Sequence, residues 1–260
     1  VQALSFGFGP LEAEFWRWMF LMIRVGAAML AVPLFGAAQV PAQVRASVAG
    51  AVALLVAAWT STVVPPVLFS ASGLLGVGGE VLIGLALGSV LQFAFAAPVI
   101  AAEIIGGGMG MSIASTVDPN TGAHSPALGQ YFSVVLMLVF LSVGGHLHWI
   151  ALVVRSYDVF PPGQTWLGAE RIGAIAGFAG TMLATAVTLA LPVTLVLLLV
   201  QVATGVLSRS APALNLFSLG LPAGIVAGMA ALIAAAPLLT DRMTDLTQVA
   251  LDATAGILVK

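Results

Sequence analysis

No cysteine occurs in this chain, which excludes disulfide frameworks, thiolate metal sites and cysteine nucleophiles together. Charge is scarce too: 7% of the residues are Asp, Glu, Lys or Arg, against roughly a quarter in an ordinary soluble domain. So little charge cannot clothe a water-soluble monomer, and lipid or partner proteins must cover the rest. The eight basic and ten acidic residues nearly cancel, and there is no basic run that could neutralise a phosphate backbone. Nucleic-acid binding is not expected. Also missing are a GxxxxGK[ST] phosphate loop, an HExxH zinc motif and a GxSxG nucleophile elbow. Neither enzymatic chemistry nor a cofactor or metal is indicated.

What is present is apolar length. Hydrophobic residues make up 60% of the 260, and no Asp, Glu, Lys or Arg occurs from Ala46 to Gly79, Asn120 to Val154, Ile172 to Ser208 or Ser210 to Thr240. Each gap exceeds the roughly 20 residues that carry a helix across a bilayer core. Glycine and proline clusters divide the chain into six apolar segments too long for strands: Trp16 to Ala38, Ser47 to Val63, Glu80 to Ile105, Leu128 to Val153, Ile172 to Leu207 and Phe217 to Leu238. The expected fold is all-α, a hydrophobic membrane-type protein of several kinked or broken helices, with a kink or break near Pro192. Residues 241–260 change character: Met243, Leu246, Val249, Ala250 and Ile257 at helical spacing beside Asp241, Arg242, Asp245 and Asp252 suggest an amphipathic interfacial or partner-bound helix, the alternative being a frayed polar tail. Arg17 with the small residues Gly36 to Ala38 imitates a cleavable signal, but Glu12, Glu14 and Arg24 argue for a retained first helix. On six crossings, Arg17, Arg155, Arg171, Arg242 and Lys260 fall on one side and Arg45 and Arg209 on the other, which favours cytoplasmic termini.

Ionisable groups inside apolar segments are costly, which singles out Arg24, Glu80, Glu103, Asp118, His146 and His148. Arg24, Glu80 and Glu103 are candidates to pair across helices, either to hold them in register or to relay protons. His146 and His148 stand two apart, on different helical faces, and do not suggest a metal site. His124, Ser125 and Asp118 lie near one another in sequence without a triad signature. Glycines recur at four-residue spacing, as Gly84 with Gly88, Gly106 with Gly110, Gly173 with Gly177, and the series Gly220, Gly224 and Gly228. Such faces let helix backbones approach closely. Finally, residues 106–122 combine Gly106, Gly107, Gly108 and Gly110 with Met109 and Met111, then Ile113, and then a turn at Asp118-Pro119. Backbone freedom beside soft thioethers suits an element that seals an irregular surface and moves aside, or an ordinary glycine-rich loop that ends a helix.

Several of these residues carry a resemblance to the FliR/SctT family of type III secretion export-gate subunits, running from about Phe15 to about Gly228. Arg24, Gly26, Pro33, Pro41 and Arg45 resemble its opening pattern; Glu80 to Gly88, Ala102 to Gly106, Met109-Gly110, Asp118-Pro119, Gly145-His146 and the turn from Ser156 to Pro161 follow. Most specific is Gly205 to Pro222, where Arg209, Pro212, Asn215, Phe217, Gly220 and Pro222 stand at the family's intervals. The resemblance implies a single subunit over residues 1–260, built with FliP-like and FliQ-like subunits into a helical hetero-oligomer in the bacterial inner membrane, within the flagellar basal body. FlhB-like and FlhA-like components, membrane lipid and unfolded flagellar proteins as substrates are implied with it. It also implies that residues 106–122 plug the resting pore, that Arg209, Pro212, Asn215 and Phe217 shape a turn or subunit contact, and that protein rather than lipid covers much of the apolar surface. Other readings of the same residues are a virulence injectisome subunit and an ion-coupled membrane transporter carrying ions on Glu80, Glu103 and the histidines. An intramembrane enzyme would need a catalytic constellation that the sequence does not display.

Overall fold

A computed structural model describes residues 10–37, 39–59, 70–111, 127–163, 168–210 and 216–259, the side chains at 10 and 216–219 excepted. The described residues form eight helices and no strand: α1 Pro10–Ala31, α2 Pro33–Gly36, α3 Ala42–Trp59, α4 Ala71–Gly108, α5 Ala127–Ser142, α6 Gly145–Val159, α7 Ala169–Ser210 and α8 Leu216–Leu258. The all-α expectation holds.

The segmentation is corrected in three places. Among the described residues four helices are long and apolar enough to cross a membrane, α3, α4, α7 and Gly220–Leu258 within α8, or five if the bent pair α5 and α6 counts as one span. That replaces six crossings, and the side assignment built on six loses its basis. The helix that drops out is α1, because every 18-residue stretch of it holds at least three of Glu12, Glu14, Arg17 and Arg24. The segment from Leu128 to Val153 is two helices, separated where Gly144 adopts a left-handed φ of 71° that only glycine reaches without strain. By contrast, no break occurs at Pro192: α7 runs unbroken for 42 residues through it. One missing N–H removes one bond from a long ladder, and in an apolar helix the ladder on either side persists. Residues 241–258 continue the apolar helix before them, since α8 runs through Pro222 and Pro237 to Leu258. Along its end Met243, Leu246, Ala250, Leu251, Thr254 and Ile257 are buried, while Asp241, Arg242, Asp245 and Asp252 are exposed.

The chain divides into two compact units, one of Val1–Phe93, Gly144–Ala179 and Gln248–Lys260, the other of Ala94–Val143 and Gly180–Thr247. In the first, α1 buries Phe20, Leu21, Arg24, Val25 and Ala28, the i, i+4 face of an amphipathic helix. Helices α1 and α3 are fastened by Arg17 Nη2 donating to the Ala57 carbonyl at 2.9 Å and Trp18 Nε1 donating to the Gly50 carbonyl at 2.9 Å. In the second, Phe95 and Phe140 meet edge to face with centroids 5.6 Å apart, and Phe132 and Leu136 are buried beside them on α5. Large parts of α7 and α8 keep apolar side chains outward, among them Leu195, Leu199 and Val206 on α7 and Val226 and Ile233 on α8. Surface of this kind is at rest only against lipid or another protein.

Candidate functional site

The first unit is organised around Arg24, which is fully buried on α1. A buried guanidinium must find acceptors for five N–H groups or carry a large desolvation cost. It finds all five. Nε and Nη2 donate to the Glu80 carboxylate as a fork at 2.7 and 3.0 Å, Nη1 donates to the Ser156 carbonyl at 2.9 Å and to Ser156 Oγ at 3.1 Å, and Nη2 also donates to the Phe160 carbonyl at 2.8 Å. Ser156 lies in the last turn of α6 and Phe160 caps it; the Ser156 carbonyl also accepts the Phe160 N–H at 2.9 Å, and the macrodipole is negative at this end, so the cation sits where the backbone favours it. Glu80 Oε1 accepts the Gly163 N–H at 3.1 Å. The Tyr157 ring lies 4.1 Å from the guanidinium carbon, and its hydroxyl donates to the Leu21 carbonyl at 2.6 Å. One cation therefore joins α1, α4 and α6.

Glycines bring α1 and α4 close enough for this. A Cβ on Gly84 would overlap the Arg24 carbonyl oxygen and approach the Ala27 Cβ to 2.8 Å; a Cβ on Gly88 would come within 2.5 Å of the Ala31 Cβ and 2.6 Å of the Ala28 carbonyl oxygen. This is the small-residue face that the four-residue spacing suggested. Trp149 on α6 adds a bond from Nε1 to the Leu87 carbonyl at 3.3 Å.

The second unit holds the glycine–methionine stretch. Gly106, Gly107 and Gly108 are the last turn of α4 rather than part of a loop, followed by a turn at Met109 and Gly110, where φ is 81°. Gln201 on α7 donates its side-chain N–H to the Gly108 carbonyl at 2.9 Å, filling one of the open acceptors at the helix end. Met109 is buried against α8: a Cβ on Gly224 would meet the Met109 carbonyl oxygen at 3.3 Å, and one on Gly228 would collide with the Met109 side chain. Next to it, Met109, Met111, Leu128, Tyr131, Leu232 and Met243 help line a cavity of about 530 Å³.

The remaining singled-out residues are dispersed. Glu103 is exposed on α4 and takes no part in the pair of Arg24 with Glu80, which corrects the three-way pairing. Arg209 is exposed in the last turn of α7. Gly220 and Pro222 lie in the first part of α8, as does Phe217, whose side chain is outside the described residues, as are Pro212, Asn215, Ile113 and Asp118. The pair Gly173 and Gly177 has nothing near its Cβ positions. His146 is half-buried with an unbonded, buried Nδ1, and His148 is exposed; no group of three metal-ligating residues occurs among the described residues. Sequence reasoning missed Tyr157 and the acceptors on Ser156 and Phe160. The signal for them was arithmetic: one carboxylate rarely satisfies five donors, so a buried arginine demands further acceptors, though not which ones.

Residues 15–250 match the family model described as Bacterial export proteins, family 1. The chain is 33% identical over 229 residues to flagellar biosynthetic protein FliR of Escherichia coli (strain K12), covering 88% of this chain and 86% of that one. With flagellar biosynthetic protein FliR of Bacillus subtilis (strain 168) it shares 34% identity over 219 residues, 83% of this chain and 84% of that one. With surface presentation of antigens protein SpaR of Shigella flexneri it shares 34% identity over 142 residues, 55% of each.

Proposed function

The chain belongs to the bacterial export proteins, family 1, and from that premise we propose that it is a structural and gating subunit of the flagellar type III protein-export channel. The observation that carries the reading is the extent of the likeness: proteins named for flagellar biosynthesis match it from near one end to the other. The SpaR likeness supports an injectisome role as second reading, but over only about half of each chain.

In this reading the subunit sits in the bacterial inner membrane within the flagellar basal body. It assembles with FliP-like and FliQ-like subunits, meets FlhB-like and FlhA-like components, and passes unfolded flagellar proteins. The outward apolar side chains of α7 and α8 are what such neighbours and lipid would cover. The stretch beginning at Gly106 is the gate plug, with Met109 and Met111 as soft seals together with Ile113 and Asp118, and Gly110 as the pivot. Arg209, Pro212, Asn215, Phe217, Gly220 and Pro222 form the turn or subunit contact that opens α8. The Arg24–Glu80 pair is scaffold: each charge is compensated in place, which suits holding helices in register rather than moving ions.

Purification of a tagged chain in mild detergent tests the assignment. FliP-like and FliQ-like proteins co-purify if it is correct. A stable lone chain that transports ions or small molecules in liposomes overturns it. Deletion of Gly107 to Gly110 in the assembled complex raises resting ion leakage if these residues belong to the plug, and unchanged leakage removes that role.

A further inference from the structure

The cavity beside Met111 has features that the export role does not require. Its volume of about 530 Å³ lies within the range of small-molecule sites, roughly 300–1,000 Å³. No charged residue lines it, and its side-chain polar groups are the hydroxyls of Tyr131 and Thr240. Thr240 Oγ1 already donates to the Ala236 carbonyl at 2.9 Å, and Tyr131 is 58% exposed. The surrounding surface is apolar as well: Val134 and Leu138 on α5 and Val226 and Ile233 on α8 are all more than half exposed. This surface belongs in part to Gly220–Leu258, which is long and apolar enough to cross a membrane.

These facts narrow the occupant. An extended peptide would bring N–H and C=O groups that the lining cannot satisfy, at a cost of about 1–3 kcal/mol each. A helix, roughly 10–12 Å across, needs a groove rather than a pocket of this volume. A charged or strongly polar small molecule finds no counter-charge, only the exposed Tyr131 hydroxyl and a Thr240 hydroxyl that already donates to its own helix. What remains is slender, flexible and wholly apolar, and the thioethers of Met109, Met111, Met229 and Met243 adapt to such a shape.

We propose that this cavity takes one lipid acyl chain, which enters from the apolar surface between α5 and α8 and packs against Met111 and Met243. The marker is Met243, which lines the cavity and is only 1% exposed. The inference needs residence in a bilayer and does not rest on the export reading, so partner identification and lipid binding fail independently.

The test is photolabelling of the full chain, with whatever subunits co-purify, in nanodiscs of phosphatidylethanolamine and phosphatidylglycerol carrying a diazirine near the acyl terminus. Label on Met243 is expected, as well as on exposed Leu199, which reports surface lipid. Leu232→Trp, which narrows the cavity, reduces label on Met243 by about five-fold or more and leaves Leu199 unchanged. Leu239→Phe, a smaller intrusion, should act in the same direction if the tryptophan variant does not fold. Label on Leu199 with none on Met243 overturns the proposal in favour of surface lipid only. Label on Met243 that neither variant reduces also overturns it. So does a crosslink from a photoreactive residue at position 243 to protein instead of lipid.

Discussion

Gly84 and Gly228 answer to the same four-residue spacing, yet what they touch differs in kind. Opposite Gly84 stands backbone, the Arg24 carbonyl and the Ala28 nitrogen, held in a helix whose next functional group is a buried cation with every donor engaged. Opposite Gly228 stands the Met109 side chain, a chain of single bonds ending in a thioether. The first arrangement fixes one geometry, because each polar group has a partner and any slip leaves a charge unpaired. The second tolerates many geometries, because dispersion contacts are individually weak and easily exchanged. Small residues let elements approach in both units, but only in the first is the approach locked.

The largest effect comes from breaking the lock. Glu80→Leu leaves Arg24 buried without its carboxylate, and the expected loss is about 3–5 kcal/mol, read as a collapse of the thermal unfolding midpoint in detergent or of accumulation in the membrane. Adding Arg24→Met removes the orphaned charge, so the double variant should recover a large part of that loss. If it proves no better than Glu80→Leu alone, the pair is not the element that holds α1 to α4. Next comes Gly84→Ala. Here one methyl group meets backbone that cannot rotate away, and about 1–3 kcal/mol of destabilisation is expected in the same measurement.

Much of the first unit was legible from residue types alone. A charge inside an apolar helix must be compensated, so Arg24 and Glu80 declared each other, and the spacing of Gly84 with Gly88 declared a close contact. The third partner, the end of α6, was not legible, because carbonyl groups are the same in every residue and only the fold decides which come within reach of the guanidinium. Glu103 fitted the same rule as Glu80 but is exposed, and no pattern along the chain separates a buried from an exposed carboxylate on one long apolar helix. The break expected near Pro192 misled for a related reason. Pro192, Pro222 and Pro237 signal helix ends in water, where a freed carbonyl binds solvent and the chain turns, whereas here the helices continue through them. The break at Gly144 was hidden in a chain of 29 glycines, of which, among the described residues, only Gly110, Gly144 and Gly163 have a left-handed backbone.

A smaller effect belongs to the end of α4. Gln201→Leu removes the donor to the Gly108 carbonyl, and since this bond is exposed the expected change in stability is about 0.5 kcal/mol. The sharper measurement is hydrogen exchange. The amides of Met109 and Gly110, which close the last turns onto Ile105 and Gly107, should exchange several-fold faster in the variant, while the Phe160 amide, in the locked unit, should not change. Equal acceleration at both places would mean that the two units do not differ in the way proposed.

The smallest effect is the most telling for the comparison. Gly228→Ala introduces the same methyl group as Gly84→Ala, and by distance alone the collision is as severe. Two terms oppose it. Alanine favours a helix interior over glycine by about 0.8–1.0 kcal/mol, as it does at position 84, but here the atoms in the way are the Cγ, Sδ and Cε of Met109, which move by rotating side-chain bonds at about 0.5–1.5 kcal/mol if an off-rotamer angle results. The sum is near zero, so the unfolding midpoint should stay within about a degree or two of the parent. Position 228 is then a place where stability and seal part company. If Met109 belongs to the plug, displacing it should alter ion leakage through the assembled complex without altering unfolding. A Gly228→Ala variant as unstable as Gly84→Ala would show instead that Met109 is held as firmly as Arg24, and the contrast between a locked and an adaptable contact would be lost.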